Sequence, residues 1–141
     1  MNIIFIHLTL MSFVLIISVM AALIAKFLRK EKWWLKVHKG FNQVKTFLAF
    51  AGIITAIIMV QSFNLKHFSS LHGLIGLIAF IFILIQSTIG FLITFKLASK
   101  LKFLTNNNNM KLLGKIHKSI GFFVILLILV NLILGLLNII S

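Results

Sequence analysis

The chain has 141 residues, of which 61% are apolar; fourteen lysines and arginines against one acidic residue, Glu31, give a net charge of +13. Its mean hydropathy of +1.17 excludes a soluble domain of this size, which would have to cover its surface with charge. Cysteine and proline are both absent, which excludes disulfide frameworks, thiolate metal sites and proline kinks.

The first apolar run, Ile3–Ala25, is long enough to span a hydrocarbon core as helix. In lipid the backbone must satisfy its own hydrogen bonds, so the isoleucine and phenylalanine richness that would favour strand in water does not decide here. No basic stretch precedes the run. It therefore reads as a true first span with a translocated N-terminus, over about residues 3–27, rather than as a cleaved signal. The first connection and its flanks hold Lys26, Arg29, Lys30, Lys32, Lys36, Lys39 and Lys45, with Trp33 and Trp34 placed for a membrane interface. The second run, Thr46–Val60, reaches span length only with its flanks, giving a predicted helix over about 38–62. The second connection holds one basic residue, Lys66, beside His67. The third run, Leu71–Phe95, predicts a helix over about 70–96. The third connection carries Lys96, Lys100, Lys102, Lys111, Lys115 and Lys118, and its Asn106–Asn109 tract reads as a flexible loop tip. The fourth run, Ile120–Ile140, predicts a helix over about 115–140.

The expected fold is all-α: a single-domain, integral membrane, antiparallel four-helix bundle over residues 1–141. Basic residues concentrate on the first and third connections, which the positive-inside rule makes cytoplasmic, so both termini are expected on the non-cytoplasmic side. This places the chain as a multi-pass protein of the plasma membrane or an endomembrane. Its positive charge abuts the spans and is accounted for by topology and anionic lipid, so no nucleic-acid partner is expected.

Histidine carries the chemistry. Of five histidines, His7, His38, His72 and His117 each begin a different span. Successive spans run in opposite directions, so His7 and His72 fall near the outer face, and His38 and His117 near the cytoplasmic face. Ionisable residues at bilayer depth are expensive and mark function by default. A structural zinc site wants four protein ligands at one level. Two histidines per level instead suit a haem iron, whose equatorial ligands come from the porphyrin. Filling both axial positions leaves no open site and favours electron transfer over oxygen chemistry.

A second pattern accompanies the histidines. Four residues after them stand Met11, Asn42, Gly76 and Gly121; fourteen after, Ala21, Gly52, Gln86 and Asn131; eighteen after, Ala25, Ala56, Gly90 and Gly135. These offsets return to one helical face, and 18 residues rise ~27 Å. The small residue at the far end is expected to clear space for the haem held by the other helix pair, although close helix packing uses small residues too. The third and fourth spans share H-x3-G-x9-[QN]-x3-G, an internal repeat, with Gln86 and Asn131 expected to bond between helices or near a haem edge. Lys45, seven residues after His38, falls on the ligand's face; it is expected to snorkel to the surface or to neutralise a haem propionate.

With these residues in place the chain resembles the cytochrome b561 family, particularly the four-helix core of members that carry an external DOMON domain. His7-Leu8-Thr9-Leu10-Met11 is similar to the family's H-x-x-L-M opening. Ala25-Lys26-Phe27-Leu28-Arg29 and Trp34-Leu35-Lys36-Val37-His38 are similar to its A-R-Y-L-[KR] and W-F-x-x-H segment. His72-Gly73-Leu74-Ile75-Gly76 with Gln86, and His117-Lys118-Ser119-Ile120-Gly121-Phe122 with Asn131 and Gly135, resemble its H-x-x-I-G…Q and H-x-x-x-G-Y…N-x-x-x-G. Lys26 stands where the family has arginine and Phe27 where it has tyrosine, and Asn42 or Gln43 replaces a glutamine. Family members often add flanking helices or a DOMON domain, neither of which these residues contain.

The resemblance implies a transmembrane oxidoreductase with two b-type haems, iron-ligated by His7 with His72 and His38 with His117. It further implies electrons taken from cytoplasmic ascorbate and passed to monodehydroascorbate or a ferric chelate. An anionic reductant would be drawn to a rim of Arg29, Lys36, Lys39, Lys115 and Lys118, and Lys66 with His67 could bind the acceptor outside. Five residues from His72, His67 faces elsewhere and is not expected to be a ligand. A homodimer or a separate soluble redox domain are the protein partners considered. Two other readings stand beside this one: a cytochrome b membrane anchor of a larger redox complex, and a haem-free small membrane protein.

Overall fold

The computed structural model describes residues 3–64, 69–94 and 107–140, and its four long elements are all helices. They are α1 (Ile3–Phe27), α2 (Trp34–Ser62), α3 (Leu71–Thr94) and α4 (Asn107–Ile140), and each is long and apolar enough to cross a membrane.

Two helices start earlier than hydropathy suggests. α2 begins at Trp34, and α4 at Asn107, so Asn107–Asn109 form its first turn rather than a loop tip; Asn106 lies outside the described residues. Helix nucleation is the costly step; once a span has formed, propagation through a few polar residues costs only tenths of a kcal/mol each, roughly. α2 ends where Asn64 adopts a left-handed φ of 51°, with the Phe63 and Asn64 N–H groups donating to Met59 and Gln61 carbonyls. Asparagine tolerates that conformation better than most side chains.

The short stretch between α1 and α2 keeps these helices side by side. α1 packs on α2 and α4, and α3 packs on α4 and α2; among the described residues the backbones of α1 and α3 do not approach each other closely, nor do those of α2 and α4. The helices therefore occupy the corners of a square, with α1/α3 and α2/α4 as its diagonals.

What is buried follows one register. The positions seven after each histidine are Val14, Lys45, Ala79 and Val124; eleven after, Ser18, Ala49, Ile83 and Ile128; fourteen after, Ala21, Gly52, Gln86 and Asn131. Every one of these is buried, and among the described residues only Ile24 is buried outside them. Offsets of 7, 11 and 14 are two, three and four helical turns, so each helix turns the same stripe inward. The apolar members form a plug between the two histidine levels. Outward faces are apolar as well: Phe47, Phe122 and Phe27 are each more than 60% exposed, a surface suited to lipid rather than water.

Candidate functional site

The four span histidines come together as two pairs across the diagonals. The ring centres of His7 on α1 and His72 on α3 are 6.2 Å apart, and those of His38 on α2 and His117 on α4 are also 6.2 Å apart. A metal–imidazole bond is about 2.0 Å and the nitrogen sits a little over an ångström from its ring centre, so two imidazoles on opposite sides of one metal have centres about 6 Å apart. No cluster of three or more histidine or carboxylate side chains occurs among the described residues.

Each ring is oriented in the same way. Nδ1–H of His7 donates to the Gly52 carbonyl at 3.0 Å, and that of His38 to Ala21 at 2.9 Å. Nδ1–H of His72 donates to Asn131 at 3.0 Å, and that of His117 to Gln86 at 3.1 Å. All four acceptors are the carbonyls fourteen residues after the histidine of the neighbouring helix. α1 with α2, and α3 with α4, are thus two units with one internal geometry. A carbonyl can only accept, so Nδ1 carries the proton and Nε2 of the neutral ring keeps a lone pair, the tautomer a metal ligand needs. Thr55 Oγ1 lies 3.3 Å from His7 Nδ1 as a second contact.

The small-residue stripe has a more specific use than expected. A methyl group at Gly90 would lie 3.0 Å from His117 Cε1, and one at Gly135 would lie 2.9 Å from His72 Cε1. The glycines clear space for the histidine rings themselves. Four residues after the histidines, Gly76 and Gly121 receive the side chains of Asn131 and Gln86, and Met11 fills the equivalent space over Gly52.

Around His7 and His72 lies a cavity of ≈ 410 Å³, lined also by Met11, Gly76, Asn131 and Gly135. Asn131 Oδ1 is buried there without a hydrogen-bond partner. At the other level Lys45 corrects the sequence expectation: it does not snorkel. It is 1% exposed, and its Nζ donates to Asn42 Oδ1 at 2.8 Å and to Gln86 Oε1 at 2.7 Å. Gln86 therefore bonds between helices, as anticipated, whereas Asn131 faces the cavity. Asn42 Nδ2 in turn lies 3.2 Å from His38 Nε2.

The Arg29 guanidinium lies 5.5 Å from the Trp34 ring centre, and Trp34 is 6.0 Å from His38 between ring centres. Lys36 and Lys39 line a surface groove with Lys32 and Gln43, while Lys115 and Lys118 are exposed. Lys66, His67, Lys96, Lys100 and Lys102 lie outside the described residues.

Sequence reasoning found the histidines and the +14 positions but not the part those positions play. Their carbonyls, rather than their side chains, hold the rings, and a carbonyl leaves no trace in residue type. Neither curated proteins nor solved structures gave a significant match to the chain. The sequence model of eukaryotic cytochrome b561 matches residues 5–140, nearly its whole length, and the chain belongs to the cytochrome b561 family.

Proposed function

We propose that this protein passes electrons across a membrane through two b-type haems, one held by His7 and His72 and the other by His38 and His117. The observation that carries this is the repeated ring spacing of 6.2 Å at two levels of one bundle. The residues present fit the group. Each Nδ1 is tethered to a carbonyl, and the His7/His72 level has a cavity with an unpartnered acceptor, Asn131 Oδ1; at the other level Asn42 Nδ2 stands 3.2 Å from His38 Nε2 and would give way to the iron. A bound haem would supply a one-electron iron couple.

The protein's own part is orientation and insulation. The Nδ1–carbonyl bonds fix each ring plane and raise the basicity of Nε2, a role typical of groups behind metal-bound histidines. A haem held between two such histidines would have no position left for oxygen or substrate, and so would carry electrons rather than do oxygen chemistry. The packed cluster of Val14, Ala49, Ala79, Ile83, Val124 and Ile128 separates the two levels.

In this reading the bundle is antiparallel, with the first and third connections cytoplasmic by the positive-inside rule. Cytoplasmic ascorbate is the donor, drawn by the basic rim of Arg29, Lys36, Lys39, Lys115 and Lys118. Monodehydroascorbate or a ferric chelate accepts the electron on the far side. A reduced-minus-oxidised absorption spectrum of the purified protein, with haem counted per chain, tests the core of the proposal. b-type bands and two haems are expected; the absence of such bands would refute it.

A further inference from the structure

The position seven after each histidine is the centre of the bundle, and three helices place Val14, Ala79 and Val124 there. α2 places Lys45. An ammonium is expensive to bury, and both of its hydrogen-bond partners are neutral amide oxygens, so this charge is not cancelled at its own site. Those partners are the residues that stand behind the His38/His117 pair. Asn42 takes the ammonium on its Oδ1 while its Nδ2 donates to the His38 carbonyl at 2.8 Å, and Gln86 takes the ammonium on its side chain and the His117 Nδ1–H on its carbonyl. The other level repeats this frame without the charge: Val14 stands for Lys45, Met11 for Asn42, and Asn131 for Gln86, with Asn131 Oδ1 left unpartnered.

Resting on the two-haem reading above, we propose that Lys45 is a built-in cation that raises the reduction potential of the haem at His38/His117 above that of the haem at His7/His72. An added electron lowers the positive charge of the iron centre, so a nearby fixed cation in a low-dielectric interior favours the reduced form. The two sites share one backbone frame and differ in a single buried charge, which makes the electron's resting place unequal. The hydrogen bonds of Lys45 go to Asn42 and Gln86 and not to His38 or His117. It is a positioning residue whose effect is electrostatic.

The test is a spectroscopic redox titration of the purified protein beside Lys45→Gln, which keeps hydrogen bonding without charge, and Lys45→Arg, which keeps the charge. The wild type should titrate as two components. In Lys45→Gln the higher one should fall by at least a tenfold change in its reduction equilibrium, 59 mV for one electron, while the lower one stays; Lys45→Arg should hold the higher component in place. An unchanged higher component in Lys45→Gln, or an equal fall in Lys45→Arg, overturns the proposal. So does loss of one haem in both variants, which would make Lys45 a residue that holds the group rather than tunes it. A wild-type protein without b-type bands would instead overturn the two-haem reading itself.

Discussion

Replacing Gly135 by alanine gives the sharpest test of how the rings are held. The added methyl would lie 2.9 Å from His72 Cε1 and 3.2 Å from Nδ1. Relaxed carbon contacts are about 3.5–4.0 Å, so the ring must retreat by more than half an ångström. It is not free to do so, because its Nδ1–H is tied at 3.0 Å to Asn131, one turn earlier on the same helix. Overpacking of this kind costs ~1–3 kcal/mol, which corresponds to roughly 5- to 150-fold in haem affinity at the His7/His72 site. The intrinsic helix effect has the opposite sign, since alanine is better than glycine mid-helix by ~0.5–1 kcal/mol. Because the contact and the tether both belong to the bundle itself, Gly135→Ala should keep its helical content but lower the thermal midpoint of the haem-free protein, and should weaken one haem. The control is Gly114→Ala, where an added methyl meets nothing within 4 Å. Haem titration into the apoprotein, followed by absorption, reads both. If Gly135→Ala takes up two haems with wild-type affinity and spectrum, the claim that glycine makes room for the ligand is wrong.

Gly90→Ala, at 3.0 Å from His117 Cε1, should do the same to the other site and leave the His7/His72 haem in place, as judged by haem count and the remaining band. His117→Ala should lose one haem of two; loss of both would point to a single shared site or to collapse of the bundle. Thr55→Val should change little, less than about 1 kcal/mol in haem affinity, because the shorter bond from His7 goes to the Gly52 carbonyl. If the basic rim guides an anionic reductant, the bimolecular rate of reduction by ascorbate should fall several-fold between about 0.01 M and 0.15 M salt, in stopped-flow measurements. A salt-independent rate would leave the rim a role in topology alone.

Much of this was legible in the linear chain because a membrane imposes simple rules. Apolar run length gave four helices, without any knowledge of packing. Four histidines at alternating heights gave candidate pairs, since helix direction alone sets which of them share a level. Even the stripe at offsets 4, 14 and 18 could be counted out, because helical periodicity is fixed by the backbone.

Three things needed the tertiary structure. The helix order around the square put each histidine pair on a diagonal, a matter of which faces pack and not of hydropathy. The anchors of the rings turned out to be the main-chain carbonyls of Ala21, Gly52, Gln86 and Asn131, groups every residue has and no sequence motif records. Lys45 was the most misleading residue. Sequence reasoning offered this long cationic side chain an escape to the surface or a haem propionate to neutralise, but α2 turns the position to the bundle centre, where packing decides what a side chain meets. There Gln86 of α3 and Asn42 of its own helix supply the oxygens that let a charge stay buried. The sequence alone determined the helices and which histidines could share a level; the packing decided what stands behind those rings, because hydrogen bonds between helices depend on register and rotation that no single run of residues contains.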